Sequence, residues 1–500
     1  MKNNAPRSRS HSHTHQRSDL IRISQRAMTE RGLLPEFSDA VLHQLASLPT
    51  PSFVPSEQLA DLRHLLWCSI DNDDSRDLDQ LTVAELLPEG GLRLRVAIAD
   101  VDSLVQKGTP IDDHAKANTA TVYTSARIFP MLPEVLSTDL TSLNPGQTRL
   151  ALVTEMDFLA DGTLVRSTVQ RALVFNRAQL SYDSVSAWLE GKGDLPRAAS
   201  LVPGMDEQLR MQDAMAQQLR ARRYEQGSLE FQTFAPRVVF DDERVKAIEL
   251  QVHNRARQLI EEVMIVTNGC TARYLAQHQR DALRRVVRTP ERWAQIVAVA
   301  STYGESLPAE PNSEALEAFL ARQRRTDPLR FPDLSLLVIK LMGSGEYVVE
   351  SPTAEPIGHF GLAVKDYAHS TAPNRRYPDL ITQRLLKAAM AGRPSPYGRE
   401  ELAALARHCT QQEDAVRKVE RRMRKSEAAL YLESMVGQTF QGLVTGTASD
   451  GAWVRVLAPP VEGHLQLAEH LLEIGQKVRL QLVSVSVEKG YIDFVIAEGP

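Results

Sequence analysis

Between Ser69 and Leu81 the chain reads SIDNDDSRDLDQL, five aspartates in thirteen residues, directly after the apolar patch LLWC (65–68). Carboxylates crowded against the end of a buried strand repel one another and raise one another's pKa. Asp71 follows Ser69-Ile70 at the end of that strand. Asp77 and Asp79 alternate, so an extended chain presents both on one face, and the five residues before them let Asp71 fold back toward them. A hard divalent cation relieves such repulsion. Magnesium takes oxygen ligands in an octahedron and keeps waters and substrate phosphate in its shell. It activates water and neutralises the charge of a phosphoryl transition state. A solvated acidic turn satisfies the spacing equally well. An EF-hand does not, because the central glycine and closing glutamate are absent.

Outward from this stretch, 500 residues exceed one ordinary core and imply two or three domains. No apolar run reaches the ~18 residues of a membrane span. No apolar stretch closely follows the N-terminal arginines, which argues against a secretory leader. Cys68, Cys270 and Cys409 lie too far apart for a disulfide framework or a zinc spacing, so a reducing cytoplasm is the expected compartment. The net charge of −5 excludes a whole-chain basic field, and any nucleic-acid binding must come from local patches.

Residues 1–17 (MKNNAPRSRSHSHTHQR) read as a disordered basic arm. In it, alternating His11, His13 and His15 suit a solvated tail better than a metal site. Residues 18–60 read as a small helical segment broken at Pro35 and followed by the proline-rich linker TPSFVPSE (50–57). RLRVAIADV predicts an internal strand and LALVTEMDFLADGTLVRSTVQRALV two strands joined at ADG. Gln258 to about His278 predicts a long buried helix, YPDLITQRLLKAAMAG another, and Arg399 to Glu433 a charged one. Past Met435 the texture changes to short strands and glycine turns.

A second constellation is KDYAHSTAPNRRYPDLITQRLL (365–386). Arg375 and Arg376 stand at the start of a helix, where the dipole favours anions. That placement suggests they face a phosphate, and Arg375 suits bidentate contact to a phosphodiester. A surface arginine pair bridging to Asp379 accounts for the same residues.

Together these stretches resemble the catalytic domain of the ribonuclease II / ribonuclease R (RNB) family. RVAIADV, FPMLPEVLSTDLTSLNPG, LIEEVMIVTN, HFGLA and STAPNRRYPDL follow in the family's order, and the resemblance covers about residues 60–432. It implies an α+β fold: a mixed-sheet RNB domain over 61–433, flanked by helices. It also implies magnesium-dependent (or manganese-dependent) hydrolysis of single-stranded RNA from the 3′ end to nucleoside 5′-monophosphates. By resemblance, Asp71, Asp77 and Asp79 are catalytic and hold the metal, and Arg375 contacts the phosphate at the cleavage point. Tyr123 and Phe231 form the two ends of the base stack, Glu261 holds the terminal nucleotide, and Tyr182 and Arg376 border the RNA. Base stacking on aromatic rings carries no sequence preference, as stepwise degradation requires. Residues 434–500 resemble a ribosomal-type RNA-binding OB-fold barrel, with Trp453 as its presented aromatic. The helix before it aligns Arg417, Arg421 and Arg424 on one face, a phosphate track or a solvated stripe.

Gln80 departs from the pattern: the family carries a fourth aspartate there, as part of the metal site. A neutral carbonyl is a weaker ligand for a hard cation. Two readings therefore stand, an active 3′→5′ exoribonuclease and an RNA-binding protein whose catalysis Gln80 has weakened or removed. Relatives place two cold-shock barrels before the catalytic domain. The residues preceding it here are too few for both, so a more open channel entrance is expected, as is a monomer with no membrane partner. The short helical segment reads as a degenerate helix-turn-helix or a brace.

Overall fold

The strand Leu92–Ala99 lies at the middle of a seven-stranded mixed sheet. In the computed structural model, residues 15–48, 59–88, 90–232, 236–250, 253–448, 451–466, 472 and 474–497 are described. Across the sheet the strands run Ala60–Asp61, Leu164–Phe175, Thr148–Phe158, Leu92–Ala99, Gln80–Leu86, Cys68–Asp71 and Ala178–Ser181. The outermost pair at each edge is parallel and the inner pairs are antiparallel.

The side-chain period of two assigns each residue to a face. Leu94, Val96 and Ile98 pack with Leu209 and Met215 of the helix Met205–Glu225 and with Leu259 and Val263 of Arg255–Gln277. Ala97 and Ala99 pack on the other side with Leu380, Ile381 and Leu385 of Tyr377–Met390 and with Leu402 and Leu405 of Arg399–Leu432. Helices cover both faces, which is why this strand ends in a continuous apolar run. The hairpin 148–175 turns at ADG as expected, with Gly162 at φ +79°. The helix expected from Gln258 begins at Arg255, because the Asn254 side chain caps it by accepting from Arg257 N at 3.0 Å.

Two parts were not read from the sequence. One is a lobe of the helices Trp293–Thr302, Ser313–Thr326 and Phe331–Met342, with Trp293, Phe319 and Phe331 in its own core. The other is the antiparallel hairpin Pro236–Asp241 and Arg244–Leu250.

The strands Thr439–Ala448, Gly451–Val456, Val461–Gln466, Lys477–Ser486 and Tyr491–Ile496 close into a five-stranded barrel. Its core residues Val444, Val454, Leu480 and Phe494 belong to one apolar cluster with Val419 and Met423 of the long helix and Leu20, Ile23, Ala27 and Met28 of the helix Arg17–Thr29. The N-terminal segment is thus a brace, packed along the long helix beside the barrel. Arg26 adds an ion pair to Glu488 of the barrel. Arg455 clamps the barrel to the helical lobe through Asp333, at 2.7 Å from Nη2 to Oδ2.

Residues 15–17, expected to belong to a disordered arm, are held in place. His15 Nδ1 lies 2.7 Å from Glu433 Oε1, and Arg17 Nε donates to the Ala126 carbonyl at 2.9 Å. Residues 1–14, with His11 and His13, and the linker 50–57 lie outside the described residues. Among the described residues no helix is long and apolar enough to cross a membrane.

Ile23 is fully buried in the shared cluster. Ile23→Ala should cost about 2–5 kcal/mol, read as a lower thermal midpoint of the transition that includes the barrel.

Candidate active site

Of the three expected aspartates only Asp71 ends a strand; the chain from Asn72 to Asp79 is a loop, and the next strand begins at Gln80. Asp77 and Asp79 therefore do not alternate on one strand face, as the spacing had suggested. They are placed instead by a buried hydroxyl. Ser142 Oγ accepts from Leu78 N and donates to the Arg76 carbonyl, both at 2.9 Å. The Asp79 carbonyl then accepts from Ala99 N at 3.0 Å, which fastens the loop to the sheet. Asp79 is buried, Asp77 lines a cleft, and Asp73 and Asp74 are exposed.

The arginine loop meets this one from the other side of the fold. The buried Asp379 carboxylate accepts from Ala372 N at 2.9 Å and from Arg376 Nη2 at 2.7 Å. Arg376 is therefore part of the loop's framework, the Asp379 bridge that its sequence position also allowed. Asn374 N donates to Asp79 Oδ1 at 2.9 Å and Arg375 Nε to Oδ2 at 3.3 Å. Thr121 N donates to the Arg375 carbonyl at 3.1 Å, and Tyr377 N to the Thr119 carbonyl at 2.8 Å. These bonds stitch the arginine loop to the segment that carries Tyr123, whose hydroxyl donates to Asp77 Oδ2 at 3.3 Å.

Burial pushes the Asp79 and Asp71 carboxyls up to about 7, against the pull of Arg375. Burial raises Asp77 as well. Burial works against the charge of Arg375, but Tyr123, Asp79, Asp77 and Asp71 together hold it firmly protonated. Gln80 turns its amide nitrogen to Asp71, 3.5 and 3.4 Å from the two oxygens.

Among the described residues no three His, Cys, Asp or Glu side chains converge as a metal cage. The expected set Asp71, Asp77, Asp79 and Gln80 is therefore not a closed cage. Asp79 is engaged by the arginine loop, and Gln80 acts as a donor to Asp71 rather than presenting an oxygen. The donors still suit a hard divalent cation. They are carboxylate oxygens whose raised pKa values a cation would lower, and magnesium needs only one or two of them beside water and phosphate.

The remaining expected residues lie on several different elements. Tyr182 begins a helix under the Arg257 guanidinium, 4.4 Å from its ring centroid, and senses the Asp71 charge. Glu261 is exposed, with Oε2 3.1 Å from His253 Nε2. Phe231 is partly buried and packs on the core of the helical lobe. Trp453 is 46% exposed on the barrel, with the Lys425 ammonium 5.4 Å from its ring. Beside Asp77 and Tyr123 opens a cleft of about 1130 Å³, which Arg127, Phe240 and Arg424 also line. Sequence reasoning missed the Asn374 N–H, which no side-chain pattern reveals. It also missed Arg257, whose position four residues before Glu261 on one helix was the available signal.

Residues 59–392 match the RNB domain model, and residues 438–497 match the RNase II-type exonuclease C-terminal S1 domain. The chain belongs to the RNB-domain family. Ribonuclease R of Escherichia coli (strain K12) is 32% identical over 91% of this RNB protein and 59% of its own length. The chain thus spans less than two thirds of that curated relative. A solved structure of Mycoplasma genitalium RNase R in complex with ribose methylated single-stranded RNA superposes with a TM-score of 0.85 at 22% identity, covering 96% of this chain and 78% of that one. The same enzyme in complex with double-stranded RNA gives 0.82 at 25% identity, covering 96% and 83%. The α+β architecture with its terminal barrel is therefore that of the family.

An aspartate with a raised pKa keeps, when folded, a proton that the unfolded chain releases above the ordinary value of 3.8. The metal-free protein accordingly loses stability as pH rises from about 4 through about 7. Asp79→Asn removes the share of that loss due to Asp79, while Asp71 keeps its own. In EDTA the variant should melt above the parent at pH 8, and the gap should close toward pH 4.

Proposed function

We propose that this chain is a divalent-metal-dependent hydrolytic exoribonuclease. It removes nucleotides from the 3′ end of single-stranded RNA and releases nucleoside 5′-monophosphates. The carrying observation is the meeting of Asp71, Asp77 and Asp79 with Arg375 beside a cleft that Tyr123 lines. The naming of the relatives as ribonuclease R and the RNA bound in the matching structures support the substrate class. With the proposal goes a monomer working in the cytoplasm.

Asp71, Asp77 and Asp79 would hold a magnesium or manganese ion, which when bound supplies an activated water and neutralises charge on the scissile phosphate. Arg375 offers a planar fork of donors to the phosphodiester. Asp79 keeps that fork oriented through its bond to Nε. Beside a bound cation the raised Asp71 pKa would fall, and that carboxylate would stay ionised at neutral pH. Tyr123 offers a ring face to the terminal bases while its hydroxyl steadies Asp77.

The test is a time course on 5′-labelled single-stranded RNA with magnesium, beside EDTA and Asp79→Asn. Stepwise shortening in the parent alone supports the proposal. The geometry of Gln80 favours one other reading, a binder with weakened or lost catalysis, because its amide donates to Asp71 where the family resemblance implies a ligand oxygen. RNA that stays intact yet shifts in a binding gel would select that reading. Arg375→Ala should lower kcat by about 10²–10³. Gln80→Asp should lower the half-saturating magnesium concentration by about 10-fold, measured by steady-state kinetics across magnesium concentrations.

A further inference from the structure

We propose that Arg257 is a second phosphate-binding arginine of this site, contacting the RNA backbone beside Asn72. The inference rests on the RNA reading above and adds a residue that no comparison assigns. Arg257 is the third residue of the helix Arg255–Gln277, a position where the dipole favours negative charge. Its neighbour Arg255 answers that field by pairing with Asp213, at 2.9 and 2.7 Å. Arg257 turns the other way. Its guanidinium lies 4.4 Å from the Tyr182 ring centroid, and Nη2 donates to Asn72 Oδ1 at 2.6 Å.

Asn72 follows Asp71 in the chain and lines the cleft. The guanidinium is thus held behind a cleft-lining residue, next to the carboxylate cluster. The ring face fixes the plane of the guanidinium and the Asn72 carbonyl fixes its rotation, so little freedom is lost when it meets a phosphate. Arg375 and Arg257 both act on Asp71, against the neighbouring charge of Asp77. Two guanidiniums thus flank the carboxylates, an arrangement suited to clamping a phosphodiester.

The experiment uses the full chain, a 5′-fluorescein-labelled 2′-O-methyl oligoribonucleotide and EDTA, with anisotropy read at increasing KCl. A lost phosphate contact makes the dependence of log affinity on log salt shallower by ~0.7 for a single strand. Arg257→Gln should show that change and bind about 10-fold more weakly at low salt, whereas Arg257→Lys should keep the parent's slope. A residue that merely braces Tyr182 would leave the slope of Arg257→Gln equal to the parent's, which would overturn the proposal. Arg257→Ala supplies the slope if the glutamine variant does not fold. Failure of both neutral variants to fold beside a folded lysine variant would make Arg257 structural and also overturn it. A parent that binds no RNA would sink the functional reading itself, and this inference with it.

Discussion

The site depends on one buried carboxylate that receives two donors from a loop 295 residues away in sequence. Asp79 is almost fully removed from water, a costly environment for a charge without compensating hydrogen bonds. Asn374 N and Arg375 Nε provide them, one to each oxygen. The backbone of Asp79 is fixed by Ala99 of the central strand. The arginine loop is fixed by Asp379 in the first turn of a helix packed on that sheet. The packing of sheet on helix therefore sets the position of the guanidinium relative to the carboxylates. Loss of these two donors would leave the buried Asp79 charge uncompensated.

The helix Arg399–Leu432 extends this constraint to the rest of the molecule. Its first half lies under the sheet, through Leu402 and Leu405, and its second half shares a core with the barrel and the N-terminal helix. From that second half Glu420 accepts from Tyr123 N at 3.1 Å. The buried Glu427 accepts from Ser125 N at 2.9 Å and Ser125 Oγ at 2.8 Å. The element that carries the barrel thus also places the aromatic residue at the cleft. Lys425, on the same turns, reaches the exposed Trp453.

Gln80 changes the chemistry of one corner of this frame. An aspartate there would add repulsion to Asp71 and a ligand oxygen for a cation; the amide adds a hydrogen bond. Asp71 then has one anionic neighbour in Asp77, with Gln80 neutral and Arg375 and Arg257 cationic beside it.

The sequence by itself determined the elements whose pattern is strong: the central strand, the hairpin at ADG, the long helices expected from 258, 377 and 399, and the short strands past Met435, whose closure into a barrel the family resemblance implied. It also determined the identity of the acidic and arginine stretches, because clustered charges beside apolar runs are visible locally. Only the tertiary structure decided which of these charges meet. It tied Arg376 to Asp379 and freed Arg375 for the aspartates. It replaced the expected strand through Asp77 and Asp79 by a loop hung on Ser142. It set Arg257 against Asn72 and Tyr182 and made the N-terminal segment a brace. The physical reason is one throughout. These outcomes rest on hydrogen bonds and apolar contacts between segments tens to hundreds of residues apart, and local periodicity carries no record of such pairings.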